Sequence, residues 1–319
     1  MGGASQLGYV DVEAATRRIR GCVRRVAVAR VHSGEAFSLH LALEFMQFTG
    51  SFKARGAQNH LRAHAESQAL PQSGVAIASG GNGGMAFAWA ARSQGVPATV
   101  FVPAATPAVK VARLRSYGAD VRVGGSEFQE AVGAARVFAE DTGALLAHAY
   151  DDVLMAAGAG TLLDELHTQL PELDTVVVSV GGGGLFAGVT TAARHRGVRT
   201  VSVEPVRCRA LYAAIEAGAP VDVDVDSIAA DSLGARRVSE MAWQAAQHPL
   251  VDSVLVTDDE IVHARQSLWD DHRLAVEHGA AAALAGIRGR NGYRPGAGES
   301  VCVVLCGANT DVSSLAPTR

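Results

Sequence analysis

Short apolar runs alternate with longer Ala-rich stretches along most of the chain. The short runs are rich in β-branched residues at consecutive positions, which is typical of strands that helices cover on both faces. The predicted strands are residues 75–78, 98–102, 120–123, 175–180, 199–203 and 300–305, and the predicted helices are residues 83–95, 107–117, 126–142, 154–170, 185–197 and 258–273. Strands joined by crossover helices predict an α/β fold with open, mostly parallel sheets.

The size and composition of the chain indicate a folded protein with two lobes. The chain has 319 residues, of which 48% are hydrophobic and 19% charged, so it can bury more than one minimal core. No repeat, charge block or low-complexity linker marks a boundary. With a formal net charge of -4, the chain lacks the basic field that attracts nucleic acid or an anionic membrane. We therefore expect a small-molecule ligand, with no nucleic acid and no membrane as partner.

The cysteine pattern and the N-terminal sequence favour the cytoplasm. Cys22, Cys208, Cys302 and Cys306 form no pair of CxxC clusters. The first residues lack the apolar core of a signal peptide, and no apolar run is long enough to cross a bilayer. We expect a soluble cytoplasmic protein.

Four consecutive glycines, Gly181 to Gly184, follow the strand predicted at 175–180 and precede a predicted helix. Such a turn can bring several backbone N–H groups toward one point, and the helix N-terminus adds a partial positive charge. A tight connection that needs positive φ would explain one or two glycines, whereas four favour a phosphate cradle. The P-loop lysine and the GxGxxG spacing are both missing, so a nucleoside triphosphate or a dinucleotide is not favoured.

Lys53 lies in the segment GSFKARGA, among small and apolar residues directly before a predicted helix. Most lysines are solvated surface charges, but a desolvated amine would have a lowered pKa and could act as nucleophile and base. A second strand, glycine-rich turn and helix follow at 77–91, with Ser79 and Asn82 as the polar residues of the turn. An ordinary helix N-cap would explain this turn. Two anion-binding turns, however, suit a ligand with two anionic ends, such as a cofactor phosphate and a substrate carboxylate.

The motifs GSFKARGA, SGGN, GGGGL and LCGANTD, in this order, resemble those of the fold-type II pyridoxal-phosphate enzymes, specifically the serine and threonine dehydratases. The resemblance covers nearly the whole chain. It implies a tryptophan synthase β-like fold, with two open, twisted, mostly parallel sheets flanked by helices and pyridoxal 5′-phosphate between two lobes. It implies a discontinuous large cofactor-binding domain of residues 1–50 and 155–319, and a small mobile domain of residues 51–154 that binds the substrate carboxylate. It also implies a homodimer.

The resemblance assigns roles to individual residues. Lys53 is the catalytic residue and holds the cofactor as a Schiff base, with Phe52 packed beside the ring. The substrate carboxylate binds at Ser79, Gly80, Gly81, Asn82 and Gly83, and Asn82 also contacts the 3′-oxygen of the cofactor. The remaining cofactor-binding residues are Gly181, Gly182, Gly183, Gly184 and Leu185 at the phosphate, Cys306 at the pyridine nitrogen, and Glu204 in the VEP stretch.

The activity that the resemblance implies is β-elimination from a 3-hydroxy amino acid such as L-serine or L-threonine, which yields a 2-oxo acid and ammonia. An amino-acid racemase, a β-replacement synthase and a catalytically inactive binding protein are the alternatives. Serine racemases have a Ser as second base at the position of Gly80, so this chain would lack that base. Relatives with a cation site have an Asp six residues after Glu204, where this chain has Ala210, so we predict no metal site. The segment 277–281 reads EHGAA where the family often has EPSGA, which leaves the substrate open.

Overall fold

The computed structural model describes residues 6–31 and 34–315. The helices are α1 (Tyr9–Ile19), α2 (Lys53–Glu66), α3 (Asn82–Gln94), α4 (Ala108–Ser116), α5 (Phe128–Thr142), α6 (Val153–Gln169), α7 (Gly184–Arg196), α8 (Ala210–Ala217), α9 (Ala230–Leu233), α10 (Glu240–Ala246), α11 (Asp258–His272) and α12 (His278–Arg288). The strands are β1 (Val28–Val31), β2 (Ser38–Ala42), β3 (Val75–Ala78), β4 (Ala98–Val102), β5 (Asp120–Val123), β6 (Leu145–Leu146), β7 (Thr175–Ser179), β8 (Arg199–Pro205), β9 (Val251–Val256) and β10 (Ser300–Val304).

Six strands form the larger sheet, in the order β1-β2-β10-β7-β8-β9. Strand β1 is antiparallel to β2, and every other neighbouring pair is parallel. Strand β7, in the interior of the sheet, is buried at all of its positions, because parallel sheets are covered by helices on both faces. The consecutive apolar residues at 175–180 are explained by this double burial.

Four strands form the smaller sheet, in the order β5-β4-β3-β6, and all of them are parallel. These strands lie inside the range 51–154 that the sequence assigns to the small domain, and the strands of the larger sheet lie outside it. The bounds of the two domains, and the mobility of the smaller one, stay predictions.

Helices α6 and α7 pack together through glycines. A Cβ atom at Gly188 would lie 2.0 Å from the carbonyl oxygen of Ala156, and a Cβ atom at Gly160 would lie 2.6 Å from the carbonyl oxygen of Gly188. Both distances are too short for non-bonded atoms, so this close approach requires residues without a side chain. Because α7 begins at the last residue of the glycine run 181–184, its packing on α6 also fixes the position of that turn.

All of the predicted strands and helices are present, with ends that differ by at most two residues, and the predicted α/β class is confirmed. The elements that the sequence analysis missed include β1, β2 and β9, the two-residue β6, and α12. Helix α12 is buried from Gly279 to Ile287. A helix without a polar face lacks the amphipathic period by which helices are recognised in a sequence.

Candidate active site

A cleft of about 910 Å³ lies between residues of the two sheets. Its walls include the turn Ser79–Asn82 after β3, the glycine turn Gly181–Gly184 after β7, and Cys306 after β10. Lys53, the first residue of α2, also faces this cleft. Open parallel sheets bind ligands at the carboxyl ends of their strands, which is the edge that this cleft occupies.

The amine of Lys53 lies near two aromatic rings. Its Nζ donates a hydrogen bond to the carbonyl oxygen of Ala149 at 2.8 Å, and it lies 4.7 Å from the ring centroid of Phe52 and 5.9 Å from that of Tyr150. Desolvation by the surrounding protein lowers the pKa of Lys53 to about 8, although Cys306 and Glu277 oppose the shift. The neutral, nucleophilic amine is therefore far more abundant at neutral pH than for a solvated lysine.

The glycine turn is shaped for a ligand with several acceptor atoms. Gly183 has φ of 94°, which a side chain would strain, and a Cβ atom at Gly182 would lie 2.2 Å from the ring of Tyr150. The N–H groups of Gly181, Gly182 and Gly183 donate no hydrogen bond to any residue that the structure describes. Together with the N-terminus of α7, they form a cradle for a phosphate group.

The turn Ser79–Asn82 leads into α3, whose first residue is Asn82. A Cβ atom at Gly84 would lie 2.1 Å from the carbonyl oxygen of Ser79, so the turn needs a glycine to fold back on its own strand. At Gly81 a Cβ atom would have no neighbour within 4 Å, which leaves open space toward the cleft. The N-terminus of α3 thus offers free N–H groups and a partial positive charge to an anionic group.

Cys306 is buried at the base of the cleft. Its Sγ lies 3.6 Å from the hydroxyl oxygen of Ser179, either of which can be the donor. Burial raises the pKa of the Cys306 thiol to about 12, and the nearby Glu277 raises it further. The thiol is therefore neutral at physiological pH, so this position has no anion with which to stabilise a protonated ring nitrogen.

Glu204 is placed apart from the cleft, unlike the other residues of the predicted cofactor set. Its carboxylate oxygens accept hydrogen bonds from the backbone N–H groups of Leu211 and Tyr212, each at 2.8 Å, in the first turn of α8. Burial raises the pKa of Glu204 to about 8, although these two hydrogen bonds act to lower it. In this geometry Glu204 caps a helix, and its predicted contact with the cofactor stays a prediction.

Two lining residues of the cleft, and one residue that contacts its wall, were missed by sequence reasoning. Tyr150 and Ser179 line the cleft, and Asn309 donates a hydrogen bond to Asn82. Tyr150 precedes the pair of aspartates at 151 and 152, and Asn309 lies in the LCGANTD motif. The motifs therefore pointed to the right segments, but only the folded geometry shows which side chains reach the site.

Comparison with known proteins identifies the family. Residues 25–307 match the family described as pyridoxal-phosphate dependent enzyme. The chain belongs to this family. The pyridoxal-phosphate dependent enzymes that it resembles include an L-threonine ammonia-lyase of Geobacter sulfurreducens, which is 35% identical over 97% of this chain and 77% of that protein. An L-threonine ammonia-lyase of Thermotoga maritima is 31% identical over 96% of this chain and 76% of that protein.

Solved structures of the same family have the same fold. Maize serine racemase has a TM-score of 0.88 and 29% sequence identity, over 98% of this chain and 96% of that chain. The processed form of threonine deaminase isoform 2 from Solanum lycopersicum has a TM-score of 0.86 and 29% sequence identity, over 96% of this chain and 85% of that chain. Members of both reaction types are therefore structurally close to this protein.

The residues of the cleft fit pyridoxal phosphate, the cofactor of this family. The glycine turn would hold the phosphate, and the desolvated amine of Lys53 would form the covalent bond to the aldehyde carbon. The neutral thiol of Cys306 fits an unprotonated ring nitrogen. In the described part of the chain, no group of three or more His, Cys, Asp or Glu side chains could hold a metal ion. No helix in that part is both long and apolar enough to cross a membrane.

Proposed function

We propose that this protein converts a 3-hydroxy amino acid, such as L-serine or L-threonine, into a 2-oxo acid and ammonia by β-elimination. The observation that supports the proposal most strongly is the desolvated amine of Lys53 between a phosphate cradle and a neutral thiol. The ammonia-lyase relatives from Geobacter sulfurreducens and Thermotoga maritima support the same reaction.

The reaction balances without an oxidant or a reductant. The Cα proton and the β-hydroxyl group leave as water, and the released unsaturated amine takes up water again to give the 2-oxo acid and ammonia. Pyridoxal phosphate, when bound, delocalises the negative charge that remains at Cα after loss of the proton. The amine of Lys53, once displaced by the substrate, removes that proton, because its lowered pKa of about 8 leaves a substantial fraction of neutral amine in the cleft.

The other cleft residues orient the substrate and limit the reaction path. The turn Ser79–Gly83 binds the substrate carboxylate at the N-terminus of α3. The neutral thiol of Cys306 would leave the ring nitrogen of the bound cofactor unprotonated, which would favour loss of the β-hydroxyl group. We also propose that the protein is a cytoplasmic homodimer and that its small domain, residues 51–154, is mobile.

Racemisation is the second candidate, because serine racemases are structural neighbours. Racemisation needs a proton donor on the face of Cα opposite the first base. The position at which serine racemases have that donor is Gly80 in this chain, which has no side chain to provide it. We therefore place elimination ahead of racemisation.

A panel of L- and D-3-hydroxy amino acids tests the proposal through release of 2-oxo acid and of ammonia. The expected result is equal release of both products from one enantiomer of serine or threonine, with none from the Lys53→Ala variant. Conversion of L-serine to D-serine without 2-oxo acid would contradict elimination and favour the racemase.

A further inference from the structure

Asn309, Asn82 and Glu277 form a series of hydrogen bonds in which each residue donates to the next, and the last two line the cleft. Nδ2 of Asn309 donates to the carbonyl oxygen of Thr49 at 2.8 Å and to Oδ1 of Asn82 at 2.7 Å. Nδ2 of Asn82 in turn donates to both carboxylate oxygens of Glu277, each at 3.1 Å. A backbone carbonyl and an ionised carboxylate can only accept hydrogen bonds. The two ends of the series therefore fix the amide orientation of both asparagines.

We propose that Glu277 is a positioning residue that holds the amide of Asn82 so that its second N–H points at the 3′-oxygen of the bound cofactor. An asparagine amide has two N–H groups. Both acceptor oxygens belong to the single carboxylate of Glu277, so one N–H shared between them accounts for both contacts and leaves the second N–H for the cofactor. The inference rests on the pyridoxal-phosphate site and on the contact that the family resemblance implies for Asn82. It does not depend on which amino acid is the substrate, so it can fail while the proposed function holds.

The three side chains come from different parts of the fold. Asn82 begins α3, which follows a strand of the smaller sheet, whereas Glu277 precedes α12 and Asn309 follows β10 of the larger sheet. A Cβ atom at Gly307 would lie 2.3 Å from Oε1 of Glu277, so the carboxylate occupies space that only a glycine leaves free. Gly307 of the LCGANTD segment thus provides the space for the carboxylate of Glu277. The hydrogen bond between Asn82 and Glu277 links the segments that extend from the two sheets.

The charge of Glu277 should affect how firmly Asn82 is held. Burial raises the pKa of Glu277 to about 7, and the negative charge of Asp231 adds to this rise. Hydrogen bonds from Asn82 and the positive charge of Lys53 act in the opposite direction. The titratable groups that face Glu277 are Lys53 on α2, Asp231 on α9 and Cys306 after β10.

The ionised fraction of Glu277 rises with pH through about 7, and hydrogen bonds to a charged acceptor are stronger. The hold on Asn82 therefore strengthens from pH 6 to pH 8.

Binding of two cofactor analogues tests the proposal. The dissociation constants of pyridoxal 5′-phosphate and of 3-deoxypyridoxal 5′-phosphate are measured by absorbance titration of the cofactor-free protein. Wild type should prefer the analogue that has the 3′-oxygen by about tenfold or more, the value of one hydrogen bond of about 1.4 kcal/mol. In Glu277→Ala this preference should fall below about threefold, because the amide of Asn82 is then held only by its hydrogen bond from Asn309. In wild type the preference should also be larger at pH 8 than at pH 6.

Control variants separate positioning from general damage to the site. Asp231→Asn removes a neighbouring carboxylate that does not contact Asn82, and at pH 8, where Glu277 is already largely ionised, it should keep the preference of wild type. Glu277→Gln keeps an acceptor oxygen and should retain part of the preference without its dependence on pH. If thermal melting shows that Glu277→Ala does not fold, Glu277→Gln replaces it in the comparison with wild type. An unchanged preference in the folded Glu277 variants, or an equal loss of affinity for both analogues, would overturn the proposal.

Discussion

The backbone N–H of Phe52 donates a hydrogen bond to the carbonyl oxygen of Cys306 at 2.9 Å. Next to it, Ser51 pairs with Gly307 in an antiparallel bridge, and the N–H of Ala308 donates to the carbonyl oxygen of Gly50 at 2.9 Å. These main-chain bonds hold the segment that begins α2 against the segment that follows β10. The amine of Lys53 and the thiol of Cys306 are thus kept near each other by the backbone, so their side chains can be changed without losing this placement.

Substitution of Cys306 tests its role at the ring nitrogen. Cys306→Ser should keep most of the elimination activity, because a hydroxyl is neutral like the thiol. Cys306→Asp should lower kcat by about tenfold or more, because an ionised partner raises the pKa of the ring nitrogen. The measurements are steady-state release of 2-oxo acid and the visible spectrum of the bound cofactor. An Asp variant with the activity and spectrum of wild type would show that Cys306 does not contact this nitrogen.

The pH dependence of cofactor attachment tests the environment of Lys53. Only the neutral amine attacks the aldehyde, and the pKa of Lys53 lies at about 8. The rate of attachment to cofactor-free protein should rise about tenfold per pH unit below this pKa and level off above it. Stopped-flow absorbance measures this rate. A rate that continues to rise up to pH 10 would mean that the amine is solvated like an ordinary lysine.

A hydroxyl at position 80 tests why the protein eliminates and does not racemise. A Cβ atom at Gly80 would lie 3.4 Å from Cγ2 of Thr106 and 3.5 Å from Cγ1 of Val102, so a small side chain fits. Wild type should form negligible D-serine from L-serine in deuterated water. Gly80→Ser should form a small, detectable amount and eliminate more slowly, because the added group also crowds the leaving hydroxyl.

Gly80→Ala is the matched control for the added bulk, and it should slow elimination without forming D-serine. Chiral chromatography of the recovered serine reads out both variants. Racemisation by wild type at a rate comparable with 2-oxo acid release would show that another group acts as the second base.

The packing of α6 on α7 gives a prediction about stability. Gly188→Ala should lower the free energy of unfolding by at least about 2 kcal/mol, because its methyl group would overlap the carbonyl oxygen of Ala156. Gly133→Ala is the control, since Gly133 lies in α5 and the added methyl group would meet no atom within 4 Å other than the nearby backbone of its own helix. It should be neutral or stabilising by about 0.5–1 kcal/mol. Thermal melting compares the two variants, and equal melting temperatures would contradict the close contact.

The sequence predicted this protein well where burial or backbone geometry determines the residue type. The doubly buried β7 requires consecutive apolar residues, and the close contacts and positive φ of the turn after it require glycines. Glu204 shows the limit, because a buried carboxylate that caps α8 and one that faces a ligand look alike in a motif. Asn309 and Tyr150 were missed since their roles depend on contacts between segments far apart in the chain. The hydrophobic pattern specifies elements, whereas such contacts appear only once the two sheets are assembled.

The identity of the reactive amine is open to one direct measurement, because the chain has only two lysines, Lys53 and Lys110. Both line the cleft, but Lys110 lies 4.0 Å from the carboxylate of Asp231 and its side chain is 41% exposed. The protein is loaded with pyridoxal phosphate, reduced with borohydride and digested, and the modified peptide is identified by mass spectrometry. Modification of Lys53, which Lys53→Ala abolishes and Lys110→Arg leaves intact, is the expected result. A stable adduct on Lys110, or full activity without any adduct, would contradict the assignment of Lys53 as the catalytic residue.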